Sequence, residues 1–234
     1  MKEITTKNYV KGREQFIVEN CTNKRVLHLG CCDTPYTKFV FDNQSSLFQR
    51  IEKVCESQLG LDNNNEGLDY VRSKGYSNLK FFDLNEPGEI DFIPEIIIFA
   101  DTLEHLMNLE SALSTLKGLM NKDVELIITV PNATMFERFI GNFRGYIHEH
   151  PDHKVSFTYT SLKQLMEYNN LIVKNIFLSD QLHIDHNRQK IEESVVKSTL
   201  LSPIRLSKSI LRKILVKFFP LFSECLICVC KIKL

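Results

Sequence analysis

The chain has 234 residues, 29 Lys+Arg against 29 Asp+Glu, 43% hydrophobic and 25% charged residues. That length and apolar fraction support one ordinary globular core and exclude wholesale disorder. The zero balance argues against a protein that coats nucleic acid, which carries a basic excess. No apolar run approaches the roughly 20 residues of a membrane span. Residues 1–7 lack the apolar stretch of a secretory signal. Seven cysteines, with Cys31 and Cys32 adjacent, read as free thiols of a reducing compartment. A cytoplasmic location is the expectation.

In chain order, residues 2–21 read as an opening helix with Tyr9, Phe16 and Ile17 as apolar contacts. Residues 25–30 form a short apolar run ending at Gly30, a buried first strand. Ser45 and Ser46 precede helical spacing at Leu47, Phe48, Ile51, Val54 and Cys55. A second strand spans 59–62 and closes on Asp62. A helix over 64–74 ends at Gly75, a C-terminal cap signal. Strands follow at 79–83 and 95–100, then a helix near 108–120 and a strand over 124–130 stopped by Pro131-Asn132. Residues 131–158 read as a loop, long enough to suggest function. Thr160 caps a helix to about 169, and 171–178 is a sixth strand. Residues 188–219 read as helical with a break at Pro203, and 225–232 as a last strand. The pattern predicts an α/β fold: a Rossmann-like three-layer α/β/α sandwich on a seven-stranded, mostly parallel sheet with a final antiparallel strand. It predicts a single domain over 1–234. The core is about 24–178, with a helical insertion at 188–219.

In such sheets ligands bind beyond the carboxyl ends of the strands. The segment after the first strand, Gly30-Cys31-Cys32-Asp33-Thr34-Pro35, lacks both the G-x-G-x-x-G dinucleotide fingerprint and the G-x-x-x-x-G-K-[ST] phosphate loop. This disfavours nucleotide enzymes of other Rossmann types. Acids stand at strand ends instead. Asp62 is placed to accept two hydrogen bonds from ribose hydroxyls, although it lies farther from Gly30 than the roughly 20 residues of the dinucleotide fold. Asp83 is placed to meet an adenine amino group or to serve a turn. Asp101 opens the run Asp101-Thr102-Leu103-Glu104-His105-Leu106.

Taken together, Val26-Leu27, Gly30-Cys31, Leu103-Glu104-His105-Leu106 and Val130-Pro131-Asn132 resemble the class I S-adenosylmethionine-dependent methyltransferases. The likeness covers about residues 24–178 and continues through His153-Lys154-Val155-Ser156-Phe157-Thr158. It implies a methyltransferase with S-adenosylmethionine as cofactor, held around His28, Gly30, Cys32, Asp33, Asp62, Asp83 and Asp101. His28 stands where the family carries an acid near the methionine ammonium, and Asp33 could supply that carboxylate. Cys32 and Thr34 replace glycines. These departures leave open a cofactor-binding relative without catalysis. The run Leu27-His28-Leu29-Gly30-Cys31-Cys32-Asp33-Thr34-Pro35 resembles a bacterial subgroup linked to cell-surface glycan biosynthesis. This implies O-methylation of a sugar or polysaccharide precursor, with no nucleic-acid partner.

An alcohol acceptor must lose its proton, and histidine suits that task near neutral pH. His105, His148, His150 and His153 are the candidates, with His153 and His105 foremost and Glu104 and Asp101 behind them. His105 could merely orient its loop, and His153 could be a structural histidine. His148-Glu149-His150-Pro151-Asp152-His153 also offers donors to zinc or a harder ion. A loop setting with Pro151 fixes no ligand geometry, so no metal is assigned. Cys225 and Cys228 have C-x-x-C spacing but fall on opposite faces of a strand. Finally, Lys197, Arg205, Lys208, Arg212, Lys213 and Lys217 lie in a stretch without acids. The helix over 204–219 could cover the domain or touch an anionic membrane surface.

Overall fold

The computed structural model describes residues 8–146, 149–180, 216 and 218–233. The strands are β1 Arg25–Leu29, β2 Ser57–Asp62, β3 Leu79–Phe81, β4 Ile96–Ala100, β5 Glu125–Pro131, β6 Leu171–Ser179 and β7 Cys225–Ile232. They form one sheet in the order β3-β2-β1-β4-β5-β7-β6. Pairing is parallel from β3 through β5, while β7 runs antiparallel to both β5 and β6. The expected Rossmann-like sheet is therefore present. Its antiparallel member lies one strand in from the edge.

The helices are α1 Arg13–Cys21, α2 Thr37–Asp42, α3 Leu47–Glu52, α4 Asn65–Ser73, α5 Leu109–Gly118, α6 Phe136–Phe143 and α7 Tyr159–Tyr168. Alternation on the strands sorts them into layers. Leu27, Ile97, Phe99, Leu126 and Ile128 point to the face covered by Leu113 and Leu116 of α5 and Leu162 and Met166 of α7. Val26, Ile96, Ile98 and Ile127 point the other way, to Ile17 of α1 and Leu47 and Ile51 of α3. On that second side, Val40 and Phe41 of α2 pack with Leu68 and Val71 of α4. Cys225 and Cys228 do separate to opposite faces, one in each core.

Several boundaries differ from the sequence reading. The first helix begins at Arg13, because Gly12 turns the chain at φ 86°. Before that turn, Tyr9 bridges to Leu178 of β6. Helix α2 went unread because Thr34 and Pro35 mark a turn just before it. The segment 131–158 is not all loop, since it contains α6. Thr158, not Thr160, caps α7 through a reciprocal box with Ser161. Strand β3 ends at Phe81, so Asp83 lies beyond it. Ser46, Asn64 and Asn108 cap α3, α4 and α5 as their side chains predict. Most of the 188–219 stretch, with its proposed membrane contact, and His148 lie outside the described residues. Among the described residues, no helix is long and apolar enough to cross a membrane.

Candidate functional site

Strand order reverses between β1 and β4, which makes the crevice beyond their carboxyl ends the natural ligand position. Gly30 sits there at φ 74°, and a Cβ on it would lie 2.5 Å from Oγ1 of Thr102. Only glycine lets the loop after β1 cross so close to the loop after β4. Asp62, at the end of β2, ties this loop down. Its Oδ2 accepts the Cys32 N–H at 2.9 Å, and its Oδ1 accepts the Asn64 N–H at 3.0 Å. Each oxygen keeps lone-pair capacity for a further donor. Burial pushes the Asp62 carboxyl above its ordinary value, against the pull of those N–H groups.

The remaining expected cofactor residues divide. Asp33 is half-buried at φ 54°, and burial raises its carboxyl to about 7 against the opposing charge of Arg13. Asp101 pairs with Arg13 and accepts the Thr129 hydroxyl at 2.9 Å. Cys32 contributes its backbone at the loop, while its side chain is buried with Val40, Phe48 and Leu68. His28 is only 3% exposed and lies inside β1, its ring stacked on Phe48 at 6.2 Å. Burial drives its pKa to about 3, so the ring is neutral and offers almost no edge to a ligand. Asp83 holds a turn by accepting the Asn85 backbone N–H at 2.8 Å.

Sequence reading missed Arg13. It is fully buried and pairs with Asp101, and its Nε has no hydrogen-bond partner. A lone Arg followed by Glu14 reads as the polar face of a helix. Nothing local announces that its guanidinium lies under the end of β4.

A second cluster lies beyond β4. A short 3₁₀ helix, Leu103–His105, carries Glu104 and His105. The Glu104 carbonyl accepts N–H bonds from Lys154 at 2.8 Å and Val155 at 3.2 Å. Those bonds clamp the 149–155 loop against it and bring His153 over. The His105 and His153 rings lie 4.9 Å apart, and His150 lies 5.2 Å from His153. The His153 Nδ1 bonds to the Glu149 carboxylate at 2.9 Å, and Glu149 is held in turn by Arg138 and Ser156. Glu104 is 1% exposed, and among the described residues no other residue hydrogen-bonds either carboxylate oxygen. Burial pushes its pKa up to about 7. The two proposed catalytic histidines are thus brought together, with Glu104 beside them.

Comparison with known proteins identifies this fold. No family model and no curated protein matches the chain. An S-adenosylmethionine-dependent methyltransferase from Archaeoglobus fulgidus superimposes with TM-score 0.52 at 18% identity, covering 94% of this chain and 95% of that one. One from Mesorhizobium loti gives 0.54 at 10% identity, covering 94% and 97%. The N-methyltransferase NodS from Bradyrhizobium japonicum gives 0.50 at 11% identity, covering 95% of each chain. The chain therefore has the fold of the S-adenosylmethionine-dependent methyltransferases.

Proposed function

We propose that the protein is an S-adenosylmethionine-dependent methyltransferase acting on an acceptor oxygen, with a sugar or glycan precursor as acceptor. The observation that carries this reading is the Gly30 crevice, where only glycine fits against Thr102 and where Asp62 ties the loop down. Arg13, buried and paired with Asp101 and Glu14, would hold the end of β4 in place beneath the cofactor. Asp33 would face the ammonium, and the spare lone pairs of Asp62 would take the ribose hydroxyls. S-adenosylmethionine, when bound, supplies an already activated methyl group. The protein's own work is then to align the acceptor and keep water out. His153 and His105, with Nδ1 contacts that orient their rings, would meet the acceptor.

The glycan acceptor rests on the sequence resemblance around residues 27–35. A binding protein without catalysis is the second reading, favoured by the burial of His28 and Cys32. Isothermal calorimetry with S-adenosylmethionine and S-adenosylhomocysteine tests the first. Single-site binding is expected; no detectable heat with either ligand would overturn it. Binding without turnover over a sugar acceptor panel would favour the second.

A further inference from the structure

We infer that Glu104, His105 and His153 form a binding site for a divalent transition-metal cation. Donor atoms of these three residues all lie within 4.8 Å of one another. Two imidazoles and a carboxylate with positions left open are the donor set of mononuclear zinc, manganese and iron sites.

The ring geometry points the same way. A carbonyl oxygen only accepts, so the His105 Nδ1, 3.3 Å from the Asp152 carbonyl, carries the proton. The Glu149 carboxylate fixes the His153 Nδ1 likewise, at 2.9 Å. In both rings Nε2 is left with its lone pair. Metal-binding histidines are oriented by such contacts on the other nitrogen.

Glu104 supplies the independent observation. A buried carboxylate that no other residue hydrogen-bonds is relieved either by a proton or by a cation. The nearest guanidinium groups, Arg13 and Arg138, are engaged by Asp101 and Glu149. A cation between Glu104 and the two rings would satisfy it. His105 is exposed and His153 half-buried, so the open coordination positions face solvent and take oxygen ligands. A water or an acceptor hydroxyl bound there would ionise more easily, and the histidines would act as ligands rather than bases.

The test needs neither cofactor nor acceptor, so it stands apart from the transfer reading. The full-length protein is titrated with Co²⁺, followed by its visible absorption and by equilibrium dialysis. We expect one saturable Co²⁺ per chain, displaced by Zn²⁺. Glu149→Gln should weaken binding by about 10–100-fold, and Glu104→Gln and His153→Ala by more. Lys163→Ala should leave it within about twofold, since Lys163 pairs with Glu167 on α7, apart from the donor set and its supports. Circular dichroism establishes that each variant is folded. NMR of the Co²⁺-loaded wild type gives a readout free of folding effects. Two exchangeable, hyperfine-shifted imidazole N–H signals are expected from the two Nδ1 protons. Absence of stoichiometric Co²⁺ binding by the wild type, absence of those signals, or affinity unchanged in Glu104→Gln and His153→Ala would overturn the inference.

Discussion

Arg13 and Asp101 form a buried ion pair at the centre of the candidate site, joining the first turn of α1 to the end of β4. Asp101 holds a positive φ of 45° and accepts the Thr129 hydroxyl, so its carboxylate is also fixed from β5. The pair thus locks helix α1 over the crevice that Gly30 opens. Removing one partner breaks a buried pair, which costs up to about 3–5 kcal/mol, moderated here by the Arg13–Glu14 contact at 3.3 Å and the Thr129 hydroxyl on Asp101.

Arg13→Met and Asp101→Asn should therefore each lower stability by an amount of that order. The double variant should be less destabilised than the sum. Urea denaturation of all four proteins measures the coupling. Strict additivity would show that the pair contributes nothing beyond its separate side chains.

Gly30→Ala should cost about 1–2 kcal/mol from backbone strain alone, with steric overlap on Thr102 added. Adding Thr102→Ala should return the overlap part and leave the strain. Thermal melts of the single and double variants read both contributions. No recovery in the double variant would place the whole cost in the backbone.

Asp62→Ala removes the acceptor of the Cys32 and Asn64 N–H groups. Stability should fall by about 1–3 kcal/mol. Affinity for S-adenosylmethionine should fall in parallel, at least about tenfold, because the loop anchor is lost together with the carboxylate proposed to accept the ribose hydroxyls. Calorimetry on the folded variant decides: unchanged affinity would remove Asp62 from the cofactor site.

Asp33 gives a pH signature. Its carboxyl titrates near 7 when folded, against an ordinary value of 3.8. The folded state thus holds a proton that the unfolded chain releases between about pH 4 and 7. The Asp33 contribution is favourable below that window and lost as pH rises through 7. Asp33→Asn removes this dependence, and asparagine tolerates the positive φ. The stability gain of the variant over wild type should be larger at pH 8 than at pH 5. An equal difference at both would show that Asp33 does not titrate in this way.

The sheet was legible in the sequence because its strands are short, nearly continuous apolar runs stopped by Gly30, Asp62 or Pro131. Helix α3 announced itself through Ser46 and its helical spacing, α4 through the stop at Gly75, and α5 through the stretch near 108–120, while the Asn64 and Asn108 caps emerged only in the structure. Helix α6 did not, because Phe136, Phe139 and Phe143 keep helical spacing in a segment crowded with glycine, asparagine and histidine. Phe139 and Phe143 also remain exposed, so no buried stripe marks a core-facing side. Among site residues, Gly30 and Asp62 were visible because they sit at strand ends, where topology alone gives them meaning. His28 lies inside β1, one residue before its end, and its ring packs on Phe48 of another element. Arg13 and the closeness of Glu104 to His153 depend on contacts across distant segments, which no local spacing encodes. The metal donors combine the strand-end run at 101–106 with the histidine loop at 148–153, two stretches that read separately as different motifs.

The place of β7 in the sheet carries a consequence for assembly. Among the described residues, the ladder of β6 runs along β7, with one isolated bridge from Tyr9 to Leu178, and β7 lies between β6 and β5. The Asn132 side chain, just past β5, donates to the carbonyls of Leu221 and Ser223 ahead of β7. A chain emerging from the ribosome can therefore build β1 to β5 early, but β6 has no ladder to join until residues 225–232 arrive. Closure of that half depends on a contact between parts distant in sequence, which is slow to find. Until it forms, the edge of β5 beside the site stays open to any other extended strand.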